Sequence, residues 1–139
     1  YVNDSMGFYV AKNLVKKIIA EGVNISKSKV LVMGATFKED VSDIRNSKVA
    51  DIVKELNSFG VSVEVIDPHA DSDELKHEYG FGLSKLGKNY DGVIIAVNHK
   101  EYKKLDENYF QTILSTKGIL VDVKGMYRNK IKNINYWSL

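Results

Sequence analysis

Cysteine is absent from this 139-residue sequence, and proline and tryptophan occur once each. Without cysteine the chain can form no disulfide bond, no thiolate metal site and no cysteine nucleophile. The same absence suits a reducing compartment, and we expect the cytoplasm. Because 44% of the residues are hydrophobic and only one is proline, the composition is typical of a globular domain rather than a disordered or collagen-like chain.

Charge of one sign and long hydrophobic runs are also lacking. Twenty basic and eighteen acidic side chains leave a formal charge of +2, which excludes a protein that coats nucleic acid or an anionic membrane. Apolar runs such as residues 93–97 are far shorter than the roughly 20 residues of a membrane-spanning helix. We therefore expect no nucleic-acid partner and no membrane insertion, and any anion must be bound by a few placed side chains.

Residues 1–6 contain no initiator methionine and no targeting segment, so we expect the sequence to continue a longer chain. Apolar periodicity then predicts alternating helices and strands. Asn3 or Asp4 caps the first helix and Gly22 stops it, while Ser47 and Gly60 bound the second. The predicted helices cover residues 4–21, 49–59 and 105–114, and the predicted strands cover residues 29–34, 61–66, 92–97 and 118–121.

Residues 71–90 are mixed, and we expect one short helix and a minor strand near Phe81. Strand–helix–strand units of about 30 residues imply right-handed crossovers between parallel strands. The fold class is therefore α/β, a Rossmann-like three-layer domain with a doubly wound parallel sheet. Ligands of such sheets bind outside the carboxyl ends of the strands. Four segments should share that edge, which we call the carboxyl-end rim: residues 34–38, 67–69, 98–99 and 122–125.

The segment after the first strand, residues 34–47, is not the glycine-rich GxGxxG turn that cradles a dinucleotide pyrophosphate. It contains Phe37, Lys38 and Arg45, which offer a flat face, a point charge and a planar fork for two oxygens. These are the parts of a nucleotide-diphosphate site. A structural alternative also stands, in which Phe37 is core, the two cations are solvated and Asp43 pairs with Arg45.

Two further rim positions allow two interpretations each. Asp67 either binds ribose hydroxyls, as at the same place in NAD-binding domains, or forms a structural turn with Pro68. Lys124 offers a second positive charge or is simply exposed. The histidines are not spaced like the ligands of a known metal site, and the GxSxG turn that carries a serine nucleophile is absent. We therefore predict no metal site and no catalytic residue. The histidines are His69, His77 and His99.

Five segments in this order and spacing resemble the carboxyl-terminal, UDP-binding domain of the UDP-glucose/GDP-mannose dehydrogenase family, and the match spans nearly the whole chain. They are residues 34–40, 43–47, 67–68, 96–99 and 122–125. Residues 3–6 and the helix after them look like the end of the family's central helix. The finer pattern is most similar to members that act on UDP-N-acetylhexosamines.

The resemblance implies part of an NAD-dependent enzyme that oxidises the C6 alcohol of a nucleotide sugar to a carboxylate in two hydride transfers, in capsular or surface polysaccharide synthesis. Residues 1–22 would end the central dimerisation helix, and residues 23–139 would form the nucleotide-sugar-binding domain. The NAD domain, the acid–base residues and the nucleophilic cysteine would lie upstream, so the isolated chain is expected to be inactive. Expected partners are a UDP-sugar, that NAD domain and a second copy bound through the apolar stripe of the first helix, which sedimentation can test.

Motif by motif, the resemblance implies that Phe37 and Lys38 contact the nucleotide sugar and that Arg45 reaches the NAD diphosphate. Lys124 would take the place of a basic residue that contacts substrate, often from the neighbouring subunit. Many UDP-glucose enzymes have Asp-Gly-Arg at 122–124. The lysine at 124 lacks the bidentate fork of that arginine, so we expect this chain to contact its substrate differently or to prefer a different sugar. The alternative function is a stand-alone flavodoxin-like regulatory or interaction module that binds no nucleotide.

Overall fold

The structure is a computed structural model that describes residues 6–139, so the predicted caps at Asn3 and Asp4 lie outside the described residues. The helices are α1 (Met6–Ala20), α2 (Val49–Ser58), α3 (Ser72–Tyr79) and α4 (Glu107–Ile113), and the strands are β1 (Lys29–Met33), β2 (Ser62–Ile66), β3 (Tyr90–Ile95), β4 (Leu114–Asp122) and β5 (Asn135–Ser138). Within residues 6–139, no helix combines the length and the apolar character needed to cross a membrane.

The strands form one five-stranded sheet in the order β2-β1-β3-β4-β5, and each neighbouring pair is parallel. The chain leaves β1 toward one edge, returns past it to β3 and continues toward the other edge. Strand order therefore reverses between β1 and β3, the place where doubly wound sheets bind ligands. The predicted α/β class and parallel doubly wound sheet are confirmed.

Both faces of the sheet are buried, which explains the nearly continuous apolar strands. Along β1, Val30 and Val32 face one cluster, whereas Leu31 and Met33 face the other. The first cluster is covered by α1 and α2 and includes Leu75 of α3. The second is covered by α4 and by buried aromatic side chains: Tyr90, Tyr102, Phe110 and Tyr127. The domain thus has three layers, as the sequence predicts.

Helix α1 belongs to this core. Its apolar stripe, including Val10, Leu14 and Ile18, is buried in the first cluster. The stripe is therefore covered by this chain's own sheet and α2, which corrects the expectation that a partner helix covers it. Tyr9 and Ile19 remain about half exposed, at 53% each. Dimerisation through α1 and the boundary between residues 22 and 23 both stay predictions.

Several local expectations need correction. The N-cap of α2 is Lys48 rather than Ser47, although the Ser47 hydroxyl accepts a hydrogen bond from the Val49 N–H. Residues near Phe81 form no strand, since the segment after α3 makes one backbone bond to β2, from Ser84. Strand β5 was missed because four residues on a sheet edge show no distinctive apolar period.

Candidate functional site

The carboxyl-end rim is assembled around the turn after β1. Gly34 has a φ of +101°, and an added Cβ there would lie 2.6 Å from the Cβ of Val97, so this turn requires glycine. The Phe37 N–H donates to the carbonyl of Asp43 at 2.6 Å and closes the following loop on itself. The sharp turn and the closed loop bring the segments after β1 and β3 together, as the parallel topology predicts.

Phe37 and Lys124 line one pocket of about 90 Å³ on this rim. Its walls come from the starts of α1 and α2 and from residues that follow β3 and β4. The Phe37 residue is 53% exposed, so the alternative that it is core is wrong. The Nζ of Lys124 lies 3.8 Å from a carboxylate oxygen of Glu39, with both side chains about half exposed. Lys38 is exposed beside Phe37, outside the lining of the pocket.

Arg45 lies away from that pocket. Its guanidinium donates to both carboxylate oxygens of Asp43, at 3.1 and 2.9 Å, and its side chain is 81% exposed. These hydrogen bonds hold the pKa of Asp43 at about 2. The structural alternative of an Asp43–Arg45 pair is thus confirmed. Arg45 lines a separate hollow whose other residues include Glu74 and Glu78, so the predicted site residues are divided between two places.

The buried carboxylate of Asp67 connects three segments of the rim. Its side chain is fully buried and accepts four hydrogen bonds, from the N–H groups of Ala35, His69 and Ala70 and from the ring of His99. Burial alone would raise the pKa of Asp67, but the bonds from His99 and the backbone outweigh it and lower the pKa. The turn interpretation of Asp67 is confirmed, and the carboxylate has little capacity left for a ribose.

The His99 side chain is also fully buried, and sequence reasoning missed its role. Its Nδ1 accepts a hydrogen bond from the Asp40 N–H at 2.9 Å, so that nitrogen carries no proton. Nε2 is then the donor, to Asp67 at 2.9 Å, with the hydroxyl oxygen of Thr36 at 3.3 Å. The available signal was positional, because Asp67 and His99 follow the two strands that flank β1.

Among residues 6–139, one group of side chains has donor atoms close enough to bind a metal ion, namely Asp40, His69 and His99, within 4.8 Å of one another. Both ring nitrogens of His99 already have hydrogen-bond partners, and Nε2 of His69 lies 3.0 Å from Glu101. These are the contacts of a hydrogen-bonded histidine pair rather than of an open ligand set. The absence of a metal site stays a prediction.

Asp122 shapes the turn that carries Lys124. Its fully buried carboxylate accepts hydrogen bonds from the N–H groups of Met126 and Tyr127 and from the hydroxyl of Tyr136, at 2.9, 2.7 and 2.6 Å. Asp122 therefore fixes the conformation of this turn without lining the pocket. The pocket itself is lined by apolar side chains, one of them the aromatic Phe37, with a few polar groups, which suits binding rather than proton transfer.

Comparison with known proteins agrees with this geometry. Residues 31–129 match the model of the UDP-glucose/GDP-mannose dehydrogenase family, UDP binding domain. The chain belongs to this family. The resemblance inferred from residues 34–47, 67–68 and 122–125 is confirmed.

Among curated relatives, the chain is 39% identical over 126 residues to a UDP-N-acetyl-D-glucosamine 6-dehydrogenase of Pseudomonas aeruginosa, covering 88% of this chain and 30% of the relative. It is 36% identical over 142 residues to Protein CapL of Staphylococcus aureus, covering 99% and 33%. The chain therefore spans about a third of the length of these relatives.

Solved structures show the same fold. The UDP-N-acetyl-mannosamine dehydrogenase Cap5O of Staphylococcus aureus superimposes with a TM-score of 0.73 at 30% identity, over 96% of this chain and 30% of that one. An NDP-N-acetyl-D-galactosaminuronic acid dehydrogenase of Methanosarcina mazei Go1 gives a TM-score of 0.83 at 21% identity, over 99% and 29%. At that lower identity the likeness concerns the fold alone.

Proposed function

We propose that this chain is the domain of an NAD-dependent nucleotide-sugar 6-dehydrogenase that binds the UDP part of the substrate, a UDP-N-acetylhexosamine. Membership of the UDP-binding domain family supports the nucleotide, and the names of the relatives support the sugar class. The similarity to Protein CapL supports a place in capsular or surface polysaccharide synthesis. The same family match favours this function over a regulatory module that binds no nucleotide.

The observation that carries the proposal is the pocket shared by Phe37 and Lys124 at the carboxyl ends of the strands. A volume of about 90 Å³ admits one ring-sized group, whereas pockets for whole drug-sized ligands measure roughly 300–1,000 Å³. One ring of the nucleotide sugar would therefore enter the pocket. The diphosphate would lie on the open rim, within reach of Lys38 and Lys124, and the upstream domain would supply the remaining walls.

In this proposal the cofactor binds mainly to the upstream domain rather than to this chain. Two NAD⁺ molecules, bound one after the other, would each accept one hydride from C6, and water would supply the second oxygen of the carboxylate. The turn after β1 is a long side-chain-rich loop and not a glycine-rich cradle, so this chain fits the cofactor only at its periphery. Arg45 suits that role because its pair with Asp43 orients the guanidinium while 81% of the side chain stays exposed to an incoming diphosphate.

The 139-residue chain can be titrated with UDP and UDP-N-acetylglucosamine and followed by heteronuclear NMR. We expect amide shifts at Phe37, Lys38 and Lys124, with weak binding because part of the pocket is contributed by other domains. Shifts confined to the hollow around Arg45, or to the opposite edge of the sheet, would contradict the assignment.

Two lysine variants, one in β4 and one in the turn after it, test how much the charge of Lys124 contributes to UDP binding. Lys124→Gln should raise the dissociation constant of UDP about fivefold, because one partly exposed cation near the diphosphate is lost. Lys117→Gln removes an exposed lysine from the amino-terminal half of β4, where its Nζ donates to the carbonyl of Glu21 at 3.1 Å, and should leave the constant unchanged. Equal effects of the two variants would show that Lys124 acts only through net charge.

A further inference from the structure

The loop that carries Phe37 and Lys38 is held from beneath by one buried side chain. His99 follows β3 and is fully buried, yet its two ring nitrogens reach two other segments of the rim. Nδ1 accepts the Asp40 N–H from the loop after β1, and Nε2 donates to Asp67 after β2. The imidazole therefore bridges the loops that follow β1, β2 and β3.

The contact with Asp40 holds an unfavourable backbone conformation. Asp40 has a φ of +62°, a left-handed backbone value that L-residues rarely adopt and that aspartate tolerates better than most. Two bonds from the segment after β3 stabilise it, the one from the Asp40 N–H to His99 and one from the Lys100 N–H to the Asp40 carboxylate at 2.7 Å. The conformation of Asp40 in turn directs the chain from Lys38 back toward Asp43.

A second connection runs through Thr36. Its hydroxyl donates to the carbonyl of Lys38 at 2.8 Å, and its oxygen lies 3.3 Å from Nε2 of His99. The Thr36 hydroxyl therefore closes the loop across Phe37 by itself, and its contact with Nε2 is longer than the 2.9 Å bond from Nε2 to Asp67. His69 packs on the outer side of the His99 ring, with centroids 4.6 Å apart, and bonds to Glu101 at 3.0 Å.

We propose that His99 is a positioning residue, which fixes Phe37 and Lys38 in the conformation that binds the nucleotide sugar. The role rests on the proposed function of Phe37 and Lys38. The Nδ1 bond to Asp40 sets the loop, and the Nε2 bond to Asp67 contributes to the stability of the buried rim. The two nitrogens of one ring therefore serve separable purposes, and ligand affinity should depend on the first.

Two substitutions separate these purposes in the full 139-residue chain. His99→Asn places a carbonyl oxygen near Nδ1, so it keeps an acceptor for the Asp40 N–H and loses the bond to Asp67. His99→Gln places an amide N–H near Nε2, so it keeps the donor to Asp67 and loses the acceptor for Asp40. Each variant is the control for the other, and three quantities are measured: the urea midpoint, amide hydrogen exchange at Asp40 without ligand, and the dissociation constant of UDP.

We expect the two variants to rank in opposite order for stability and for binding. His99→Asn should have the lower urea midpoint, because the buried Asp67 carboxylate loses a donor. His99→Gln should exchange the Asp40 amide faster and raise the dissociation constant of UDP about tenfold, against less than about threefold for His99→Asn.

A purely structural His99 would give the same order in both measurements, with affinity lost in proportion to stability, and that result would overturn the proposal. Slow exchange of the Asp40 amide in His99→Gln would overturn it as well. If the wild-type chain binds no UDP, the proposed function fails, while amide exchange still reports whether His99 positions the loop.

Discussion

At the residue scale, the rim depends on a close approach between Gly34 and the segment after β3. The Gly34 backbone takes a φ of +101°, and a Cβ at this position would lie 2.6 Å from the Val97 Cβ and 2.8 Å from the Val97 nitrogen. The contacts involve backbone, which cannot rotate away. Any side chain would therefore push the end of β1 from the segment that leads to His99, and the loop bearing Phe37 would move with it.

The substitution Gly34→Ala should lower the free energy of unfolding by about 3 kcal/mol or more, because it adds a steric clash to the cost of a left-handed backbone. Gly22→Ala is the matched control, since Gly22 has a φ of +83° and its added Cβ would meet nothing within 4 Å. That control should cost only about 1 kcal/mol, the conformational part. Urea unfolding measures the free energy of unfolding of both variants. Equal losses would show that the clash with Val97 adds nothing to the cost of the left-handed backbone.

At the scale of secondary-structure elements, the short edge strand β5 is held by its side chains in addition to its pairing with β4. Tyr136 donates from its hydroxyl to the buried Asp122 at 2.6 Å, and Trp137 packs against the first core cluster. Burial and the bond to Asp122 raise the pKa of Tyr136 to about 12, so the hydroxyl remains a donor at physiological pH. Asp122 also accepts the N–H groups of the turn that follows Lys124.

Removing this hydroxyl should weaken the attachment of β5. Tyr136→Phe leaves Asp122 with its two backbone donors and should lower the free energy of unfolding by about 1.5 kcal/mol, as for a hydrogen bond to a charged group. Tyr9→Phe serves as the control, because Tyr9 is 53% exposed and its variant should cost almost nothing. Chemical denaturation distinguishes the two. A neutral Tyr136→Phe would mean that water replaces the lost bond.

Elements with a regular apolar period or a continuous apolar run were predicted well, including the five-residue strands β1 and β2, whereas β5 and the segment near Phe81 were not. The pattern of Val10, Leu14 and Ile18 reflects burial of one helical face, which is a property of local sequence. Strand β5 has four residues and gains its place only by pairing with β4. The strand expected near Phe81 fails because its segment makes one bond to β2 and contains several glycines, which form strands poorly.

At the scale of the whole molecule, two cores share a single sheet. Successive residues of the central strands alternate between them, so Ile94 lies in the first cluster and Ile95 in the second. Neither cluster can lose its packing while the strands remain in register, because each strand contributes to both. We therefore expect the chain to unfold as one cooperative unit.

Two probes test this on the same urea titration. Trp137 is the one tryptophan in the sequence and packs against the first cluster, so its fluorescence reports that side. The methyl NMR signals of Ile95 and Ile113 report the second cluster, and the signal of Ile94 is the internal reference for the first. The midpoints should coincide. A separation between the Ile94 and Ile95 signals would show that one face opens independently.

Local sequence patterns were enough to predict the alternation of helices and strands, the parallel doubly wound sheet and the family, because periodic burial and short motifs are local properties. Tertiary structure decided which side chains meet. Arg45 pairs with Asp43 away from the pocket of Phe37 and Lys124, and His99 joins Asp40 and Asp67 beneath the same loop. His99 lies 59 and 32 positions from these two partners, a distance that only the register of β1, β2 and β3 closes.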